Sequence, residues 1–151
     1  MNLSCRVISP NDLDEIINFE TSKLAEVLPD ETERALHSWH ARWRRESLEH
    51  YLTLGWSFLA RTPDDHVLIG YFLGQAFSFV DGMTQTLWIE HMSFNSLQAR
   101  DQLCELATKL AREKHFQKVI FPNQTGIANS LSSLKPEVWT PQTLAINTTK
   151  I

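Results

Sequence analysis

Two ionisable side chains stand side by side in a stretch of the chain that is otherwise mostly apolar. Glu90 and His91 lie within Trp88-Ile89-Glu90-His91-Met92. A carboxylate held on a strand can take a proton from an ammonium group, and a histidine, which titrates near neutrality, can do the same. The structural alternative is that both side chains point to a sheet edge or to water and balance nearby arginines. The pair are therefore candidate proton-transfer groups.

Cys104, His37 and His40 are further candidates, and each has a simpler structural interpretation. Cys104, near the start of a predicted helix, could accept an acyl group as a thiolate, but free cysteines more often pack as small buried side chains. His37 and His40 lie three residues apart on one predicted helix, as two metal ligands would. No third ligand has a matching spacing, so the sequence predicts no metal site.

Three arginines, Arg42, Arg44 and Arg45, follow these histidines along the chain. Guanidinium groups can bind phosphate or an acidic partner through paired hydrogen bonds. Glu46 and Glu49 stand beside them, and mixed charges of this kind are typical of a solvated helix face. The sequence therefore favours a solvated face.

Hydrophobic spacing predicts the elements that position these residues, in the order βααβββαβα followed by a strand-like tail. Helical spacing begins after a cap at Asn11 or Asp12, and the other predicted helices cover 31–54 (one bent helix or two short ones), 96–115 and 127–134. A period of two predicts strands over 3–9, 56–61, 67–79, 84–94 and 119–121, with tail candidates at 138–139 and 144–146. This mixture predicts a single α+β domain over residues 1–151.

Composition excludes several classes of function. The chain has 151 residues, and 14 Lys and Arg against 18 Asp and Glu give a net charge of −4, which argues against general nucleic-acid binding. Its apolar stretches are shorter than the roughly 20 residues that span a bilayer, and the N-terminus lacks the layout of a signal peptide. Cys5 and Cys104 make no disulfide framework. We expect a soluble, cytoplasmic protein with no nucleic-acid or membrane partner.

The order and local texture of these elements resemble the GNAT superfamily of acyl-CoA-dependent N-acetyltransferases over roughly residues 1–125. The segments that carry the resemblance are Arg6–Ile16, Trp56–Gly74, Leu87–Phe94, Gln98–Arg112 and Lys118–Phe121. The resemblance implies a GNAT-like α+β fold, in which a mixed, mostly antiparallel central sheet is flanked by helices.

The resemblance also implies a site. Glu90 would be the catalytic base, with His91 beside it, and the backbone from Met92 to Phe94 would pair with the pantetheine arm of acetyl-CoA or another acyl-CoA. The following helix start would receive the pyrophosphate, through Ala99, Arg100, Gln102, Leu103 and Cys104. Trp39 and Trp43 would line the acceptor groove, which favours an apolar or bulky acceptor or a protein partner.

The sequence departs from the family pattern at two places. The family signature Arg/Gln-x-x-Gly-x-Gly/Ala can start here at Gln98 or at Ala99, and neither register supplies a glycine, because none lies between Gly82 and Gly126. The family also places a tyrosine on the helix after the fifth strand, where this chain has none of its 2 tyrosines. The missing glycines predict weakened rather than excluded cofactor binding, and the missing tyrosine leaves the sequence without an identified general acid.

Two functions remain open from the sequence. The first is a divergent acyltransferase that moves an acyl group from acyl-CoA to a small amine or a protein acceptor. The second is a catalytically inactive GNAT-like domain that binds a protein partner or forms a homodimer. The short tail after Leu134 favours the second, because a tail that does not complete a final hairpin leaves an open sheet edge.

Overall fold

A seven-stranded sheet in the order β1-β2-β3-β4-β5-β7-β6 organises the chain. The computed structural model describes residues 3–78, 85–124 and 126–148. All neighbouring strands run antiparallel except β4 and β5, which are parallel. The strands are β1 (Ser4–Val7), β2 (Phe58–Arg61), β3 (Leu68–Phe77), β4 (Thr86–Phe94), β5 (Lys118–Pro122), β6 (Glu137–Thr140) and β7 (Thr143–Asn147).

The described residues form five α-helices, of which the first, third and fourth pack against the sheet. The limits of the helices follow local chemistry. The helices are α1 (Leu13–Val27), α2 (Glu31–Trp39), α3 (Arg45–Leu54), α4 (Leu97–Glu113) and α5 (Ile127–Ser130), with 3₁₀ turns at Pro10–Asp12 and Ser132–Leu134. Asp30 caps α2 by accepting hydrogen bonds from the amides of Thr32 and Glu33, and Gly55, in the left-handed conformation, ends α3. The Asp30 side chain thereby satisfies amides that the start of a helix leaves without partners.

Each face of the sheet carries its own hydrophobic core, because side chains alternate along a strand. Phe72 packs into the core under α4, whereas its neighbours Tyr71 and Leu73 pack into the core under α1 and α3. In the core under α4, the Leu103 side chain, which α4 contributes, is completely buried. β3 and β4 are therefore buried on both sides, and their polar residues lie in or near protein interior.

The predicted element order is confirmed, with one correction. The region 31–54 forms two short helices, which is one of the two alternatives that the sequence left open. The tail does complete a hairpin, which corrects our expectation, because β6 pairs with β7 and β7 pairs with β5. Pro141 falls in the turn between them, where the hydroxyls of Thr140 and Thr143 hydrogen-bond at 2.7 Å. The predicted turn at 80–83 lies outside the described residues.

Within the described parts of the chain, no helix combines the length and apolar character that crossing a membrane requires.

Candidate functional site

A cleft opens in the sheet where β4 and β5 part. The two strands pair only from Thr86 with Lys118 to Trp88 with Ile120, although β4 continues to Phe94 and β5 to Pro122. The parting coincides with a β-bulge in β4. Leu73 lies opposite His91 and Gly74 opposite Ile89, which leaves Glu90 as the extra residue. A bulge bends its strand and re-aims the bulged side chain, so Glu90 lies at the vertex of the cleft.

Glu90 is held by three side chains on the α1–α3 face of the sheet. Its own side chain is only 7% exposed. The Tyr51 hydroxyl donates to Oε2 at 2.5 Å, and the Gln75 amide donates to the same oxygen. The Arg42 guanidinium lies 3.3 Å from the other oxygen, Oε1. These contacts fix the orientation of the carboxylate and line a hollow of about 300 Å³ beside it.

Tyr51 acts as a hydrogen-bond donor in this arrangement. Burial and the neighbouring Glu90 carboxylate raise the pKa of Tyr51 to about 12. The phenol is therefore protonated throughout the physiological range and stabilises the carboxylate opposite it. This role was not predicted from the sequence, because Tyr51 continues the apolar stripe of α3. The phenol was the one signal on this stripe, since a buried tyrosine hydroxyl requires a hydrogen-bond partner.

Arg42 also differs from its predicted role. Its side chain is 54% exposed, in keeping with the predicted solvated face, yet it ion-pairs with Glu90 and lies 3.5 Å from the Tyr51 hydroxyl. A salt bridge with one exposed partner is weak in stability terms. Its consequence here is local, because it sets the charge next to Oε1.

His91 is placed beside Glu90 but is held in its neutral form. Burial, together with the positive charges of Lys23 and Arg42, lowers the pKa of His91 to about 4. Its Nε2 lies 3.0 Å from the Tyr71 hydroxyl. This corrects the expectation that His91 titrates near neutrality: desolvation disfavours the charged imidazolium.

The predicted pantetheine-binding stretch at the end of β4 contributes to packing as well as to the cleft. Met92 is 2% exposed and belongs to the core under α4. The Phe94 carbonyl accepts a hydrogen bond from the Lys23 ammonium at 3.0 Å, and the same ammonium donates to Ser93 at 2.7 Å. Lys23 of α1 therefore fixes the far end of β4.

The predicted pyrophosphate segment is helical throughout. Ser96 caps α4 by accepting from the Ala99 amide at 3.1 Å, and the helix begins at Leu97. Leu103 and Cys104 therefore lie beyond the first turn, where helix carbonyls already occupy the amides. The start of this helix, at Ser96 and Leu97, lies earlier in the chain than either sequence register placed it.

The remaining predicted cofactor residues are mostly buried. Ala99 and Leu103 are 0% exposed, and Cys104 is 1% exposed. Burial raises the pKa of the Cys104 thiol to about 12, so the packing interpretation of this cysteine is favoured over the nucleophilic one. Gln102 accepts a hydrogen bond from the Leu3 amide at 2.9 Å and ties α4 to the residue that precedes β1.

Arg100 reaches across from α4 to the segment that follows β5. A Cβ added to Gly126 would lie 2.2 Å from Nη1 of Arg100, so the guanidinium rests directly on the glycine backbone. Gly126 itself has φ +87° and precedes α5. The Arg100 side chain is 14% exposed, with Nε 3.2 Å from Asp101. It therefore bridges the two elements that border the open end of the cleft.

A groove of about 600 Å³ runs from Arg100 between α4 and α5. Three cations line it, together with two acids. They are Arg100, Lys109 and Arg112, and Asp101 and Glu105. Among the residues that the structure describes, no group of three or more His, Cys, Asp or Glu could hold a metal ion.

Several solved structures with this architecture are acetyltransferases of the GNAT family. No protein-family model matches the chain, and no curated protein does. A GNAT family acetyltransferase from Listeria monocytogenes matches with a TM-score of 0.64 and 12% identity, covering 96% of this chain and 94% of that one. A polyamine N-acetyltransferase from Drosophila melanogaster matches with a TM-score of 0.67 and 9% identity, covering 97% and 100%.

A third match is a GNAT family acetyltransferase from Brucella melitensis, solved in complex with acetyl-CoA, with a TM-score of 0.65 and 11% identity over 99% of this chain and 90% of that one. The chain has the GNAT fold, which confirms the fold predicted from the sequence. At these identities the likeness concerns the fold, because one fold hosts many chemistries.

Proposed function

We propose that the protein transfers an acyl group from an acyl-CoA to an amine. The observation that carries this proposal is the position of Glu90. It is the bulged residue at the vertex where β4 and β5 part, and it is nearly buried with its carboxylate already oriented. A thioester entering along the cleft would bring its acyl carbon close to this carboxylate.

The residues at the open end of the cleft fit a phosphorylated cosubstrate in kind. The capped start of α4 supplies a helix N-terminus, which favours anions. Arg100, Lys109 and Arg112 supply positive charge along the adjoining groove. Asp101 and Glu105 oppose it, and the helical segment offers fewer backbone amides than a glycine-rich loop. We therefore expect binding that is weaker than such a loop would give.

The two oxygens of Glu90 have different tasks in this mechanism. Oε2 receives hydrogen bonds from Tyr51 and Gln75, so it is committed to orientation. Oε1 faces Arg42 at the longer distance of 3.3 Å, and it is the oxygen that accepts the proton, directly or through water. Arg42 must swing aside or share Oε1, and its 54% exposure leaves it room to move.

The bonds and protons of the reaction balance without a further reagent. The ammonium acceptor loses one proton to Glu90 and becomes a nucleophilic amine. Its nitrogen forms the amide bond with the acyl carbon while the carbon–sulfur bond of the thioester breaks. The second proton released from nitrogen leaves with the CoA thiolate as the thiol, and Glu90 returns its proton to solvent.

Glu90→Gln tests this proposal. The amide keeps the shape of the side chain but cannot accept the proton, so we expect the turnover rate to fall by about 100- to 10,000-fold while acetyl-CoA affinity is unchanged. Thiol release with a panel of primary amines measures turnover, mass spectrometry identifies the acylated amine, and calorimetry measures binding. Glu49→Gln, an exposed carboxylate on α3, is the matched control and should behave as wild type.

A second candidate function is an inactive GNAT-fold domain that assembles with a partner. The outermost strand, β6, favours it, because all four of its residues are exposed and Val138 is 70% exposed. An apolar, unpaired strand edge is a template for another strand. Two measurements would together establish this candidate and refute the acyltransferase. Calorimetry would show no heat of binding with millimolar acetyl-CoA, and light scattering would show a dimer or a complex with a captured partner.

A further inference from the structure

A second hollow lies on the same face of the sheet as Glu90, and large apolar side chains line most of it. Its volume is about 480 Å³, which is within the range of small-ligand sites. The lining residues come from β3, β4, β5 and the β6–β7 hairpin, and they are Phe77, Trp88, Ile120, Trp139, Thr140, Gln142 and Thr143. We call it the aromatic pocket.

The aromatic pocket is built on the vertex of the cleft. Trp88 and Ile120, two of its lining residues, are the last pair before β4 and β5 part. Phe77 packs against Trp88 with ring centroids 5.1 Å apart and planes at 40°. The edge of the pocket therefore coincides with the place where the acyl group of the proposed function must arrive.

The pocket is also adjacent to the carboxylate. Trp88 stands two residues before Glu90, the bulged residue of β4. Gln75 joins the two sites, because it lies opposite Trp88 in the sheet and donates a hydrogen bond to Glu90. A ring seated on Trp88 would thus place an ammonium group, carried on a short chain, beside a negative charge.

The charges around the pocket select the number of charges on its ligand. The Glu90 carboxylate attracts one ammonium group. The described residues that line the pocket itself include no carboxylate that could pair with a second cation. The pocket therefore disfavours polyamines.

Resting on the proposed function, we propose that the acceptor is a primary monoamine with a flat aromatic body on a short alkyl chain, bound in the aromatic pocket. The ring would lie between Trp88 and Trp139, and the ammonium would point to Glu90. Acceptor recognition is thereby assigned to the aromatic pocket, between β3 and the β6–β7 hairpin. The sequence had suggested Trp39 and Trp43 instead, but these line a separate hollow with α1, and Trp43 is 7% exposed.

The first test needs no variant. Calorimetry and ligand-observed NMR with 2-phenylethylamine, ethylamine and spermidine, in the absence of acyl-CoA, measure acceptor binding alone. We expect 2-phenylethylamine to bind at least tenfold more tightly than either of the other two amines. Equal affinities for 2-phenylethylamine and ethylamine, or tighter binding of spermidine, would overturn the proposal.

Trp139→Ala and Trp39→Ala form a matched pair for locating the site. Both tryptophans are exposed, by 37% and 66%, so both variants are expected to fold, and circular dichroism checks this. We expect Trp139→Ala to weaken 2-phenylethylamine binding about tenfold or more and Trp39→Ala to leave it unchanged. The reverse pattern would place the acceptor in the separate hollow that Trp39 and Trp43 line, and would contradict the proposal.

The outcomes separate this inference from the proposed function. Selective binding of 2-phenylethylamine without any acyl transfer supports the pocket and refutes the acyltransferase. Acyl transfer to ethylamine or spermidine, with no preference for the aromatic amine, supports the acyltransferase and refutes the pocket. If both hold, the ratio of kcat/KM for 2-phenylethylamine to that for ethylamine falls in Trp139→Ala and stays at the wild-type value in Trp39→Ala.

Discussion

A single methyl group at Gly126 tests whether Arg100 holds the open end of the cleft. In Gly126→Ala, the new Cβ would lie 2.2 Å from Nη1 and 3.2 Å from Cζ of Arg100, so the guanidinium must move away. The residue also keeps φ +87°, a conformation that costs an alanine about 1–2 kcal/mol. Displacing the Arg100–Asp101 ion pair adds about 0–1 kcal/mol. We expect a total loss of about 1–3 kcal/mol in the free energy of unfolding.

Gly55→Ala is the matched control. Gly55 has φ +76° and no atom within 4 Å of an added Cβ, so this variant carries the backbone cost alone. Urea unfolding measures both stabilities, and calorimetry measures acetyl-CoA binding. Charge-assisted hydrogen bonds are worth about 1.5–3 kcal/mol, so we expect roughly ten- to hundredfold weaker acetyl-CoA binding in Gly126→Ala and wild-type binding in Gly55→Ala.

Equal behaviour of Gly126→Ala and Gly55→Ala would contradict the role given to Arg100. If Gly126→Ala matches Gly55→Ala in stability and binds acetyl-CoA as tightly as wild type, Arg100 neither rests on Gly126 nor contacts the ligand. The double variant Arg100→Ala/Gly126→Ala gives an internal check. With the guanidinium absent, adding the methyl group should cost only the backbone strain seen at Gly55.

Three further predictions concern buried polar groups. Burial alone would raise the pKa of Asp12, but hydrogen bonds from Arg6 and Ser9 outweigh it and hold that pKa well below its usual range. Asp12 therefore stabilises the fold above about pH 4, and this contribution is lost as the pH falls further. In urea unfolding at pH 7, Asp12→Asn should lower the free energy of unfolding by about 3–5 kcal/mol. The difference between the variant and wild type should be smaller in acid. Cys104, 1% exposed with its pKa raised to about 12 by burial, should react with iodoacetamide at pH 8 only in urea, as mass spectrometry can follow. Tyr51→Phe should cost about 1–3 kcal/mol of stability and lower kcat more than it changes KM; an unchanged kcat would contradict its positioning of Glu90.

The fold could be predicted because it depends on patterns that are local in sequence. Alternating hydrophobicity marked β2, β3 and β4, and helical spacing with a Ser96 cap marked α4. Both tail strands were predicted, at 138–139 and 144–146, but their pairing into a hairpin was not, because the tail after Leu134 is short; Pro141 occupies the turn between them. A turn proline and a strand-breaking proline look alike in a single sequence.

The candidate site was predicted only in part, because its contacts join distant segments. Glu90 was found from its place on a strand, but its partners Tyr51 and Arg42 stand 39 and 48 residues away. The bulge left one visible trace in Gly74, where an added Cβ would lie 2.7 Å from the Trp56 carbonyl oxygen. The lowered pKa of His91 depends on burial and on Lys23, which no local pattern reveals.

The early start of α4 has a thermodynamic consequence. A glycine-rich loop is free to sample many conformations, and it loses that freedom when it closes around a ligand. Here the corresponding residues are already fixed as helix from Leu97 onward, so an anion that binds at this end imposes little additional ordering. A rigid helix end also turns few amides toward the anion, which limits the heat released. Under the proposed function, acyl-CoA would therefore bind here with less heat released but also with a smaller loss of conformational entropy than at a glycine-rich loop.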